Sequence, residues 1–208
     1  MEVEVKGNEG GKPVSTDIDK KYYEPGLKYP YDPWANTKSI NGYDCDLLVA
    51  ALQKEIRRGH EENACAVAFE MLSTSAEFED YMWKRLKAIC VEDIGFGDIL
   101  APILINALDQ MRKTFERGAE GILYALHAVR YLCNCKKDRS DDEMIDYIKW
   151  FDIKPIFYDY HYDKHTKIGQ ARGRGNKHFY KEAAQIYPED ENRNKKYYEM
   201  VMKKLFNE

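Results

Sequence analysis

The chain has 208 residues, 44% of them hydrophobic and 33% charged, with a formal net charge of −4. That is enough apolar material for one core, or a core with an appendage, and it excludes fibrous and wholly disordered chains. No apolar run nears the roughly 18 residues that cross a bilayer, residues 1–12 are charged and glycine-rich where a leader would be apolar, and the five cysteines follow no repeating frame; a reduced, cytoplasmic protein with no membrane segment is expected.

Residues 1–40 read as a separate stretch, because glycine, proline, tyrosine and charge alternate there without a hydrophobic period. Residues 1–19 are expected to form a mobile arm. Residues 22–34, with Pro25, Pro30 and Pro33 among aromatics, are expected to form an extended strap packed on the domain. A helical domain is expected over 41–187 and a C-terminal helix over 188–208. In the first helix Leu47, Leu48, Ala51, Leu52 and Ile56 recur at spacings of three and four, and Gly59 stands where the helix ends. A second, over 61–72, turns Ala64, Val67, Ala68, Met71 and Leu72 inward. A third, over 78–92, buries Tyr81, Leu86 and Ile89 and forms a hairpin with the second. Cys65 and Cys90, among apolar neighbours, belong to the core.

Asp98 is placed to cap a fourth helix, with Pro102 in its first turn and Leu104, Ile105, Leu108 and Met111 inward. A fifth covers 121–133. Ser140 and Glu143 have capping-box spacing, so a sixth helix starts there, sends Met144, Ile145 and Ile148 to the core and stops before Pro155. Shorter helices follow over 166–171, 176–186 and 191–206, and the aromatic run 156–162 reads as a connecting segment and not a strand. The expected fold class is all-α, an orthogonal or bundled helical domain.

Three stretches carry a resemblance. Residues 51–72, ALQKEIRRGHEENACAVAFEML, are similar to the helix-turn-helix opening of the C-terminal region of MgsA/RarA (replication-associated recombination protein A) AAA+ ATPases, with its Q-K-x-I-R. Residues 85–98, RLKAICVEDIGFGD, resemble that family's R-x-x-x-x-x-x-E-D-I-G run at a matching distance. Residues 166–179, TKIGQARGRGNKHF, resemble more weakly a basic, glycine-punctuated segment near its end. The resemblance spans about residues 44–180. It implies a collar-like helical domain of the kind that follows the AAA+ module in clamp-loader-like proteins, serving oligomerisation, with DNA and an AAA+ ATPase or replication protein as partners. The chain contains no G-x-x-x-x-G-K-[ST] loop to cradle phosphates, so the family's motor activity is not carried over.

Charge points to the site. Residues 164–181 hold Lys164, Lys167, Arg172, Arg174, Lys177 and Lys181 and no acid, a formal +6 against −10 for the remainder. Glycines between Arg172 and Gly175 let backbone N–H groups approach an anion, so Lys167, Arg172, Arg174 and Lys177 are the expected contacts to a phosphate or nucleic-acid backbone. Docking of this segment onto the acidic remainder of the same protein, or onto another subunit, is the competing reading. Lys54, Arg57 and Arg58, on the polar side of the first helix beside Gln53, form a second basic surface or a merely solvated face. Glu92 and Asp93 end the third helix, where carboxylates oppose the dipole; a salt bridge with Arg85 or Arg130 that fixes the turn to Gly95 explains them better than a metal.

His161, Asp163, His165 and His178 are the residues through which a metal-dependent or phosphate-handling hydrolase would work, although the spacing is not that of a known site. Cys133 and Cys135 form C-x-C, not a zinc knuckle. No nucleophile elbow or complete catalytic constellation is present, and no cofactor or metal is expected. The sequence therefore reads as a non-catalytic accessory protein that oligomerises or associates with nucleic acid in DNA replication or repair. The hydrolase and a purely structural homo-oligomer are the alternatives.

Overall fold

The computed structural model describes residues 17–29 and 31–206, so the arm expected at the N-terminus lies, up to residue 16, outside the described residues. The chain divides into two compact units, Met1–Phe151 and Asp152–Glu208. The boundary falls inside the stretch read as one domain over 41–187, where Asp152 takes a left-handed φ of 49° and Pro155 denies the helix a backbone donor. Among the described residues the structure is all-helical. Its only β-type pairing is an isolated antiparallel bridge between Lys38 and Asp44, and no helix is long and apolar enough to cross a membrane.

Unit 1 is built from α1 (Cys45–Arg58), α2 (Glu61–Thr74), α3 (Ala76–Ile89), α4 (Ala101–Arg112), α5 (Ala119–Asn134) and α6 (Ser140–Trp150). α2 packs against α1, α3 and α5, and α5 also meets α4. Ala64 and Ala68 of α2 and Ala125 and Ala128 of α5 are fully buried, and such small side chains let two helices approach closely. Around them Leu52, Ile56, Met71, Phe78, Met82, Leu86, Ile89, Ile105 and Leu132 are sealed from solvent, each burial contributing about 1.5–3 kcal/mol. Gly59 ends α1 in the left-handed conformation at φ 73°, and Ser75 Oγ accepts the Phe78 N–H to start α3. Lys137 Nζ donates to the carbonyls of Leu132, Cys133 and Cys135, placing a cation where the dipole of α5 wants one.

α3 does not run on to Glu92 as a regular helix. It widens into a π-type turn, Cys90–Ile94, closed by Gly95 N–H on the Cys90 carbonyl. Gly95 sits at φ 49°, and a Cβ there would lie 2.4 Å from the Asp138 carbonyl oxygen, so only glycine fits. Cys90 is fully buried and its thiol is pushed up to about 12 by desolvation. Cys65 is only partly buried against the core.

Four local expectations fail. Among the described residues of the strap only Trp34 docks, onto Phe78 and Tyr81 at ring separations of 4.5 and 5.5 Å, whereas Tyr22, Tyr23, Tyr29 and Tyr31 are exposed. The Ser140 capping box does not form. α6 is instead opened by Asp138 Oδ1, which accepts the Ser140 N–H, and by the Arg139–Asp142 ion pair. That pair turns the acidic side of α6 toward the unit, and Met144, Ile145 and Ile148, expected in the core, are exposed instead. Met111, at the frayed end of α4, is likewise exposed.

The buried carboxylates of unit 1, Glu70, Glu79, Asp93 and Asp109, are paired. Glu70 of α2 is buried and accepts from Ser39 Oγ and from both the backbone N–H and side-chain amide of Asn41, which pins the loop before α1. Burial would raise its carboxyl, but those donors outweigh it and hold the group below its ordinary value.

Candidate nucleic-acid interface

Unit 2 carries 12 Lys and Arg against 9 Asp and Glu, a net +3, and the rest of the chain a net −7. It contains α7 (Lys167–Ala171), α8 (Asn176–His178), which widens into a π-type turn over Phe179–Ala183, and α9 (Lys196–Phe206). The aromatic run before α7 is not a strand. It is an extended stretch ending in a single 3-10 turn, Asp159–His161.

The turn before α7 is a tightly fitted piece. Thr166 Oγ1 accepts the Gly169 N–H at 3.0 Å and donates to the Asp163 carbonyl at 3.0 Å. A Cβ on Gly169 would fall 1.7 Å from that same carbonyl oxygen, so the helix can approach the Asp163 backbone only through glycine. Asp163 is buried, and its carboxylate accepts from the backbone N–H and Nδ1 of His165. The His165 side chain therefore holds the Asp163 carboxyl below its ordinary value.

The arginines are more committed than their sequence context implies. Arg174 makes a two-pronged pair with Asp159, at 2.7 and 2.6 Å, and donates to the Asp159 and Tyr162 carbonyls at 2.7 and 2.9 Å. It is a clamp on the 3-10 turn, with both terminal nitrogens of its guanidinium engaged within unit 2. Arg172 shares Asp159 at 3.1 Å and lies over the Tyr162 ring at 5.4 Å, while staying half exposed. Arg174 in particular holds the Asp159 carboxyl below its usual range.

The lysines differ. Lys164 donates to Asn176 Oδ1 at 2.7 Å and sits over Phe179 at 4.5 Å; Lys177 sits over Phe206 at 5.5 Å. Lys164, Lys167, Lys177 and Lys181 form no ion pair among the described residues, where the ion pairs of unit 2 are made by other side chains. Of the expected anion contacts, Arg172 and Arg174 are engaged with Asp159, whereas Lys167 and Lys177 carry no ion pair among the described residues.

Sequence reading undervalued the aromatics. Phe157, Tyr158 and Tyr160 are 68%, 52% and 47% exposed, an arrangement that would be costly on an ordinary surface. Tyr158 and Tyr160 stack with centroids 5.6 Å apart and planes 13° from parallel, and His161 meets Tyr160 edge-on at 4.4 Å. The signal was in the sequence: Phe157, Tyr158, Tyr160, His161 and Tyr162 stand immediately before the basic segment.

In unit 1 the second basic surface is split. Arg57 donates through Nε to Asp93 Oδ1 and lies 3.4 Å from Glu92. Gln53 donates to both carboxylates, Arg85 pairs with Glu92 at 3.6 Å, and Arg139 reaches Asp93 at 3.6 Å. Asp93 is fully buried. The Q-K-x-I-R and E-D-I-G stretches thus meet in one ion-pair network that holds α1 against the π-type turn. Arg85 is the partner expected for Glu92, but Arg130 is not; it pairs with Glu61 at 2.6 Å. Arg57 is occupied in that network, and Lys54 and Arg58 make no ion pair among the described residues; Arg58 bonds the Lys54 carbonyl.

The histidine set does not assemble. His161 Nδ1 accepts the Tyr158 N–H, His165 Nδ1 faces Asp163, and His178 has both ring nitrogens buried without a partner. Among the described residues no group of three or more His, Cys, Asp or Glu is arranged to hold a metal ion. No protein-family model matches the chain, and no curated protein matches it. The resemblance to the MgsA/RarA C-terminal region rests on the sequence motifs alone.

Proposed function

We propose that the chain is a non-catalytic accessory protein that binds nucleic acid through unit 2. The observation that carries this reading is the set of lysines at 164, 167, 177 and 181, without ion pairs among the described residues, on a unit of net +3. Lysines in this state attract phosphate by counterion release, with no sequence preference. A docking site for an acidic protein would serve the same charge, but it would not explain exposed, mutually stacked rings beside it. The motif resemblance is the ground for setting this work in DNA replication or repair.

Fluorescence anisotropy with a labelled oligonucleotide tests the proposal. The Lys167→Glu/Lys177→Glu variant, folded as judged by its circular dichroism, is expected to bind at least about tenfold more weakly than wild type at low salt. Lys54→Glu/Arg58→Glu is expected to cost less. Equal binding by wild type and the Lys167/Lys177 variant would remove unit 2 from the contact.

One observation supports self-association as a second role. α6 presents Met144, Ile145 and Ile148 to solvent, and Phe96, Ile99, Leu100 and Ile103, before and in the first turn of α4, are 59–71% exposed; exposed apolar side chains grouped in this way are a feature of interaction surfaces. Light scattering is expected to give a mass above the 24.4 kDa monomer, returning to it in Ile145→Asp/Ile148→Asp. A monomeric wild type at high concentration would count against this role.

A further inference from the structure

We infer that the groove of unit 2 lined by Ile156, Phe157, His161, Tyr162, Lys167 and Ile168 takes one unstacked base of a single-stranded nucleic acid. This rests on the proposed contact of unit 2 with nucleic acid and adds which part of the ligand enters the protein. The groove is open to solvent and offers ≈ 520 Å³, within the range of clefts that hold small molecules. Its walls are aliphatic and aromatic, and none of its lining residues is acidic.

Three features select a base over another apolar occupant. First, the only charge lining the groove is Lys167, which has no ion pair among the described residues and can meet the phosphate attached to the base. The Arg172 guanidinium, over the Tyr162 ring at 5.4 Å, adds positive charge at the wall. An apolar protein helix laid here would desolvate that charge without compensating it.

Second, His161 Nδ1 accepts the Tyr158 N–H at 2.9 Å, which leaves the ring proton on Nε2. A residue of the groove wall thereby offers a donor suited to a ring nitrogen or carbonyl oxygen of a base. Third, the same histidine meets Tyr160 edge-on, and Tyr160 is stacked on Tyr158. A second flat surface for the neighbouring nucleotide thus adjoins the groove. Stacking on side-chain rings accepts any base, but the base face must be free, which a duplex does not allow.

The test uses the full chain, a labelled twelve-nucleotide single strand, the same strand with abasic sites along its middle, and the intact strand annealed to its complement. Wild type is expected to bind the intact strand about tenfold more tightly than the abasic one, the loss that follows from removing a stacked base. Phe157→Ala is expected to bind the intact strand about tenfold more weakly than wild type and to lose the distinction between intact and abasic strands. Its duplex affinity and salt dependence should be unchanged. Phe157→Trp, which keeps a ring, should restore the distinction, so that failure of the alanine variant alone cannot be mistaken for misfolding. If wild type binds intact and abasic strands equally, the base groove is overturned while the phosphate contact stands. If wild type binds none of the three, both fall together.

Discussion

Arg112→Met is expected to lower the unfolding free energy by about 3–5 kcal/mol, the loss typical when one partner of a buried ion pair is removed. Arg112 joins α4 to α3. Its guanidinium donates to Glu79 at 3.0 Å, Asp80 at 2.7 Å and Asp109 at 2.9 Å, and it lies over the Trp83 ring at 5.3 Å. The side chains of Arg112, Glu79 and Asp109 are 11%, 6% and 2% exposed. Methionine preserves most of the stem against Trp83, so the variant isolates the charge. Lys87 and Lys113 on Asp109 and Arg117 on Glu79 remain, which keeps the loss from going further. Urea midpoints at unchanged m-value measure it. A loss under about 1 kcal/mol would mean that the network behaves as surface charge.

The same network sets a direction with pH. Burial would raise the Asp109 carboxyl, but hydrogen bonds from Lys87, Arg112 and Lys113 overcome it and hold the group below its ordinary value. A group depressed in the folded state contributes fully above its unfolded pKa of about 3.9. That contribution is lost as pH falls from there through the folded value. Wild type is therefore expected to lose stability below about pH 4, and Asp109→Asn, less stable at neutral pH, to lose less of what it has over that interval.

Gly169→Ala is expected to disrupt the folded arrangement of residues 159–174. The added carbon would stand 1.7 Å from the Asp163 carbonyl oxygen and 2.7 Å from that of Tyr162. Both are backbone atoms, so no side-chain rotation relieves the clash, and the cost is above the ordinary overpacking penalty of about 1–3 kcal/mol. Displacing α7 breaks the Thr166 cap and moves Lys167. Limited proteolysis should therefore cut the variant within residues 152–183 while unit 1 stays protected, and its affinity for nucleic acid should fall with it. Wild-type protection in that interval would show that the close approach is not needed.

The helical class and most of unit 1 were legible because amphipathic spacing has a single consequence when one face meets a core: Leu52, Ile56, Leu86, Ile89, Ile105 and Leu108 are all buried. α6 misled for a physical reason. Its apolar stripe is a valid helix signal, but the Arg139 ion pairs with Asp93 and Asp142 orient its acidic face inward, and ion pairs across distant positions leave no local pattern. The Gly59 stop was readable from one residue. The π-type turn after α3 was not, since it depends on Gly95 packing against Asp138, forty-three positions away.

At the site the basic segment was visible as composition, and its division into clamping arginines and lysines without ion pairs among the described residues was not. That division is decided by Asp159, which lies before the acid-free interval and draws Arg172 and Arg174 to itself. The aromatics were visible too, but a connecting segment gives no reason to expect Tyr158 and Tyr160 to stack in the open. Only the 3-10 turn held by Arg174 brings them together.

The central claim, that unit 2 contacts the nucleic-acid backbone, is tested most directly by titrating wild type into a labelled single strand at salt concentrations from about 50 to 200 mM. With up to four lysines on phosphates, the logarithm of the association constant should fall with the logarithm of salt at a slope of about −2 to −3, near −0.7 for each contact. Absence of binding by the folded protein at the lowest salt, or affinity indifferent to salt, would contradict the claim and turn the four lysines into a docking surface for an acidic protein.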